Sequence, residues 1–196
     1  IQSDKGRTEF NLVHLTQGPQ GPAAYSTGKG SGSVTGFSRA DGFIEITKET
    51  EMVESGEEVE IQLLGDAVQL PDLMIIGSHC VGMDYLIGEM RRLGYQCRFI
   101  PVGSMGGVMA ARRGECDLAG THLMDEESGV YNKHLLTPGL TLVKGYRRSQ
   151  GFLFRREDSR FEGFGDSFQS RFQEMLFDPQ LRMINRNRGS GTRLLL

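Results

Sequence analysis

Two kinds of apolar pattern divide the chain. Between Glu9 and Leu64 the apolar positions come in short runs interrupted by glycine and polar clusters. Glu9 to Leu15 alternates well enough for a half-buried strand. Gly18-Pro19-Gln20-Gly21-Pro22 breaks it. Val34 to Phe37 and Phe43 to Ile46 read as further strands around the turn Ser38-Arg39-Ala40-Asp41-Gly42, whose Asp-Gly pair is a hairpin signal. The run EVEIQLL, residues 58–64, reads as a last strand. Short strands this close together predict a small all-β domain over residues 1–66, a barrel or sandwich.

The second pattern begins at Leu73. Leu73-Met74-Ile75-Ile76 is a continuous apolar run, as expected of a strand buried on both faces. Leu86, Ile87, Met90 and Leu93 recur at helical spacing, and Gly94 stops that helix. Cys97 to Val102 is the next strand. Met105 to Arg113 reads as a helix with Val108 and Met109 facing a core, followed by Gly114 as the residue past its end. Cys116 to Gly120 is a third short strand. Strand and helix alternating in this way predict an α/β domain with a parallel sheet. Leu140–Val143, Gly151–Phe154 and Leu181–Ile184 read as strands, and Asp166–Phe177 as a helix. The polar stretch Tyr146 to Gln150 suits a hinge between lobes of about 73–146 and 151–196.

Charge follows the same division. Residues 1–66 hold 5 Lys+Arg against 11 Asp+Glu, and residues 67–196 hold 17 against 14. This shift places a domain boundary near Gly65-Asp66. The net charge of −3 over 196 residues argues against a dedicated nucleic-acid binder. Cys80, Cys97 and Cys116 are too widely spaced for a zinc site or a disulfide framework, and reduced thiols in a cytoplasmic protein fit them. No apolar run approaches a membrane span and no signal peptide is visible. The chain opens on Ile1 and is read as a fragment.

The chemistry lies at the ends of the α/β strands. Ser78 follows the first, Ser104 the second and Thr121 the third, which puts three hydroxyls on the sheet edge where open α/β folds bind ligands. Free N–H groups at the following helices favour an anion. Ser78 and Ser104 also fit ordinary helix caps. The turn Arg188-Gly189-Ser190-Gly191-Thr192-Arg193 repeats that logic with two arginines able to fork onto an oxyanion. Gly28 to Ser33 lacks the spacing of a phosphate loop. His79 and His122 flank the edge without an identifiable nucleophile or carboxylate partner, so no catalytic set is assigned. The acidic run Asp125-Glu126-Glu127 reads as a solvated loop, and no metal site is assigned.

These residues also carry a family resemblance. GKGSGSVTGFSRADGFIEI (28–46) and SGEEVEIQLL (55–64) resemble the C-terminal β-domain of the MoeA-type molybdopterin molybdotransferases. GSHCVGMDYL, VGSMGGVMAARRGECDLAGTHLMDEESGVYN, YRRSQGF and NRNRGSGTRLLL resemble the periplasmic-binding-protein-like domain fused after it in some of those proteins. The resemblance implies a type II periplasmic-binding-protein-like fold whose second lobe is truncated here. It implies a dimeric, cytoplasmic parent that uses molybdate, molybdopterin and magnesium, with its main catalytic domain absent from this chain. Ser38 and Arg39 would face the partner subunit's site. The ligand shell, for an oxyanion such as molybdate or tungstate, would fall on Ser78, Ser104, Thr121, Arg188, Ser190 and Thr192, with Arg193 and Tyr131 beside them. The alternative is a module that senses a small organic ligand or docks a partner, without catalysis of its own.

Overall fold

The structure is a computed structural model, and it describes residues 1–4, 6–28, 34–147, 151, 153–161 and 168–184. The chain forms two compact units, Ile1–Val143 and Lys144–Leu196.

The first unit begins with an antiparallel sheet of order β2-β1-β3-β4, made of β1 (Glu9–Gly18), β2 (Gly21–Ser26), β3 (Gly42–Ile46) and β4 (Gln62–Leu63). Alternation along β1 buries Asn11, Val13 and Leu15 on one face, where they meet Ile44, Ile46 and Val53. Of the barrel or sandwich expected, no closed barrel is found among the described residues: the sheet is open, with β2 and β4 at its two edges. Three local expectations also change. Gly21–Ser26 is a strand that the glycine and proline around it had masked. Val34–Phe37 is a single helical turn, α1, rather than a strand. Of the EVEIQLL run only Gln62–Leu63 pairs.

Asp41-Gly42 is not a hairpin turn either. β3 pairs with β1, and the Asp41 carboxylate accepts the Leu15 N–H at 2.7 Å, continuing the ladder with a side chain. Gly42 is required there, since a Cβ would lie 2.6 Å from the Gln62 carbonyl oxygen.

The α/β part follows in the same unit. β5 (Leu73–Gly77) and β6 (Cys97–Pro101) pair in parallel, with α2 (Val81–Arg92) between them and α3 (Gly103–Arg112) after β6. Residues 116–120 run beside β5 on its other side. Asp117 N–H donates to the Met74 carbonyl (2.9 Å), Ile76 N–H to Leu118 (3.1 Å) and Ser78 N–H to Gly120 (2.9 Å). β5 is thus central, which is why Met74, Ile75 and Ile76 are buried on both faces. In α2 only Ile87 is buried, while Leu86 and Leu93 stay exposed. In α3 the inward positions are Ser104, Gly107, Val108 and Ala110; Met109 is exposed instead of facing the core. Gly94 and Gly114 take the left-handed conformation that ends these helices (φ 96° and 69°).

The unit Lys144–Leu196 has a short 3-10 turn (Ser159–Phe161) and α4 (Phe168–Met175) among its described residues. Phe154 stacks on Phe161 at 4.5 Å, and Arg160 bridges Asp158 (2.8 Å) and Asp178 (3.1 Å). At Leu140–Val143 and Leu181–Ile184, where strands are expected, and at Gly151, Leu153 and Phe154, the described chain forms neither strand nor helix. An apolar run becomes a strand only with a neighbour to pair with. Among the described residues no helix is long and apolar enough to cross a membrane.

Candidate functional site

Backbone contacts bring the three strand ends together. The Gly77 carbonyl accepts the Val102 N–H (3.1 Å), joining the end of β5 to the start of α3. The Ser78 N–H to Gly120 bond joins it to the 116–122 run. Three glycines make this approach feasible. A Cβ on Gly77 would lie 2.7 Å from Gly120 backbone atoms, one on Gly120 would lie 2.6 Å from the Ser78 carbonyl oxygen, and one on Gly107 would lie 2.6 Å from Gly77 and Ile76. The edge is therefore built by main chain packed on main chain.

The roles of the expected hydroxyls differ from simple helix caps. The caps of α2 and α3 are Cys80 and Val102, and neither makes a side-chain cap bond. Ser78 precedes α2 by three residues and is half-buried. Ser104 is the second residue of α3 and only 8% exposed. Its Oγ accepts the His122 backbone N–H at 3.2 Å and lies 3.1 Å from His122 Nδ1. Thr121 donates its hydroxyl to Asn132 Oδ1 at 3.3 Å, and the same oxygen accepts the Leu123 N–H at 2.9 Å.

Asn132 shapes this edge and was not singled out from the sequence, whereas His122 was named there as flanking it. Asn132 has φ 65°, in the left-handed region, and it clamps residues 121–123 through both ends of its side-chain amide and its own N–H to Leu123. Asparagine tolerates that region better than most residues, which is the signal that could have marked it. His122 gains Ser104 as a partner, and His79 gains Asp84, at 2.8 Å from Nε2 to Oδ1. The histidines that looked partnerless are both placed by hydrogen bonds. Tyr131 pairs with Met124 through an isolated antiparallel bridge and is exposed. Ser38 and Arg39 are exposed just after α1. Arg188, Ser190, Thr192 and Arg193 lie outside the described residues.

The electrostatics around the edge are quiet. Asp125 closes its own loop, accepting the Ser128 hydroxyl and N–H, and those bonds hold its carboxyl below the usual range. Burial pushes the Cys116 thiol up to about 11, which keeps it protonated and unreactive at neutral pH. Among the described residues no group of three or more His, Cys, Asp or Glu side chains is placed to hold a metal ion.

Two family models match separate parts of the chain. A model described as a PBP superfamily domain matches residues 87–196, more than half of the chain. The chain belongs to this PBP-like family. The match starts inside α2, so Ser104, Thr121, His122, Tyr131 and Asn132 fall within it and Ser78 lies before it. A second model, the MoeA C-terminal region (domain IV), matches residues 1–64, the antiparallel sheet, and connects it with molybdenum cofactor biosynthesis. Uncharacterized protein YvgK of Bacillus subtilis (strain 168) is 29% identical over 133 residues, covering 64% of this chain and 40% of YvgK. The chain thus spans well under half the length of that relative. No solved structure matches.

Proposed function

We propose that this chain is part of a molybdenum cofactor biosynthesis protein in which the PBP-like domain binds an oxyanion, molybdate or tungstate, at the edge formed by Ser78, residues 102–104 and residues 120–122. The observation that carries this reading is the convergence of the ends of β5, β6 and the 116–120 run on a glycine-built surface, with two helices beginning beside it. The polar side chains there are hydroxyls and an imidazole, with N–H groups of first helical turns nearby. Such a site offers hydrogen-bond donors to an anion, and the nearby Asp84 carboxylate in the first turn of α2 is taken up by His79. By the family resemblance alone, Arg188, Ser190, Thr192 and Arg193 are proposed as further ligand residues.

The MoeA-like sheet, by the same resemblance, belongs to a cytoplasmic, homodimeric parent and turns Ser38 and Arg39 toward its partner's site. Magnesium and molybdopterin serve the transferase reaction of that parent. No step of it is assigned to residues of this chain, whose described acidic and histidine side chains form no metal-binding group.

The test is a thermal-shift series with molybdate, tungstate, sulfate and phosphate. Ligand that binds only the folded state raises the unfolding temperature, by about 5 °C or more at a hundredfold excess over Kd. A selective rise with the two metal oxyanions, lost in a Ser78→Ala, Thr121→Ala double variant, is the expected result. A shift with none of the four anions would refute the reading and leave a small organic ligand or a docking role.

A further inference from the structure

We infer that the open edge of β3 in the antiparallel sheet is a docking site for an extended segment of a partner protein in which apolar and basic residues alternate.

The pairing of β3 with β4 stops early. Gly42 pairs with Leu63 and Phe43 with Gln62, and the ladder goes no further. Continued in the same register, it would set Ile44 opposite Ile61, Glu45 opposite Glu60 and Ile46 opposite Val59. Like charges directly opposite each other on an antiparallel pair are destabilising, which accounts for the stop. Among the described residues no backbone hydrogen bond joins residues 44–47 to residues 57–61. A cavity of about 370 Å³ lies there instead, with Ile44, Glu45 and Ile46 on one lip and Glu57, Val59 and Glu60 on the other.

The main chain of β3 is open toward this cavity. The Leu64 N–H donates to the Asp41 carbonyl at 3.0 Å, and strand alternation turns the N–H and carbonyl of Phe43 and Glu45 the same way. Those of Phe43 meet Gln62, while no bond from Glu45 crosses to the opposite lip. The side chains sort with the same period. Ile44 and Ile46 are buried and Glu45 is exposed. Across the gap Val59 and Ile61 pack on the same core, and Glu58 and Glu60 are exposed. An extended segment paired with β3 lays every second side chain on this apolar floor and the others between two rows of carboxylates. Charge selects its composition. Residues 45–60 hold seven glutamates and one lysine, Lys48, which lies 3.8 Å from Glu49. Lys or Arg at alternate positions of the added strand bridges Glu45 and Glu60. The two carboxylates that prevent the sheet from pairing with itself are thus the ones that recruit the partner.

Fluorescence anisotropy on the 196-residue chain, with a labelled alternating Val-Lys peptide as the probe, tests this. We expect saturable binding that weakens as salt is raised. An alternating Val-Glu peptide should not bind, and N-methylation of the Val-Lys backbone should abolish binding by removing the ladder donors. Glu60→Lys gives the chain its own cation opposite Glu45. The β3–β4 ladder should then extend, so that amide exchange at Glu45 slows and peptide affinity falls, each by about tenfold or more. Glu49→Lys makes the same charge change outside the cavity and should stay within about threefold of the unmodified affinity. Circular dichroism melting of both variants confirms that they fold. No binding of the Val-Lys peptide, or equal binding of the Val-Glu or N-methylated peptide, would overturn the proposal. So would equal losses in Glu60→Lys and Glu49→Lys, which would mean diffuse attraction to an acidic surface, or an unchanged affinity in Glu60→Lys.

Discussion

The two ends of α3 are held in opposite ways. At its C-terminal end Arg113 forks onto Glu115, with both nitrogen–oxygen distances at 2.7 Å. Tyr25 of β2 donates its hydroxyl to the same carboxylate, and Thr16 of β1 donates to the Glu115 carbonyl at 2.6 Å. A second tie runs nearby, from the Arg98 guanidinium on β6 to Asp41 beside β3. The seam between the antiparallel sheet and the α/β part is thus made of charges that find their partners. At the N-terminal end there is no formal charge in the contacts described. Main-chain approach, Ser104 and His122 make up the surface. Paired charges consume their own hydrogen-bonding capacity, which suits a permanent joint. Neutral polar groups on a small-residue surface suit the ligand edge proposed above. The same ten-residue helix is anchored at one end and presents chemistry at the other.

The comparison requires α3 to sit hard against β5, and Gly107 is where that is decided. Gly107→Ala would place a Cβ 2.6 Å from the Ile76 carbonyl oxygen, a backbone atom that cannot swing aside. We expect a loss of about 3 kcal/mol in urea unfolding, as for an overpacked core. The oxyanion response should disappear with it, because both ends move together. Gly88→Ala in α2 is the control. Nothing lies within 4 Å of its Cβ, so helix propensity alone should stabilise by about 0.5–1 kcal/mol. Equal losses at both positions would contradict the seating of α3.

Glu115→Gln tests the anchored end. Its side chain is 12% exposed and receives both Arg113 and Tyr25. Removing the charge should cost about 1–2 kcal/mol, discounted for the half-open Arg113. Burial works to raise the Glu115 carboxyl, but the bonds from Arg113 and Tyr25 outweigh it and hold it below the ordinary value. A carboxyl lowered in the fold contributes stability above its unfolded value and loses it as pH falls through the folded one. The gap between wild type and Glu115→Gln should therefore be full at pH 7 and narrow once pH drops below about 4.5. A gap independent of pH would mean that the carboxylate is not what ties the seam. Ligand binding at the other end should change little in this variant.

Much of this was legible in the chain. The continuous run Leu73–Ile76, the helix stops at Gly94 and Gly114, and hydroxyls at strand ends all follow from local pattern. What escaped was set by long-range partners. Gly21–Ser26 reads as a loop because its strand character comes from pairing with β1. Val34–Phe37 reads as a strand because four residues cannot show a helical period. Leu140–Val143 has the apolar content of a strand and pairs with no strand among the described residues. At the site, Ser104 looked like the ligand group because sequence shows a hydroxyl at a strand end. It does not show the imidazole 18 residues away that takes the hydroxyl's contacts. The seam was invisible for the same reason, since Tyr25 and Glu115 are 90 residues apart.

Asn132 sharpens the presenting end. Asn132 holds Thr121 and Leu123 while sitting at φ 65°. Two contributions are mixed there, the side-chain bonds and the tolerance of asparagine for the left-handed region. Asn132→Ala loses both, and we expect about 2 kcal/mol of destabilisation. Asn132→Gly loses only the bonds, because glycine adopts that φ without a steric penalty, so it should recover about 1 kcal/mol of the loss. Neither variant should restore the oxyanion response, since the 121–123 segment is no longer clamped beside Ser104. If glycine restored both stability and binding, Asn132 would be present for its backbone alone. The loop would then be shaped by φ at one residue, and the amide contacts would be incidental to the site.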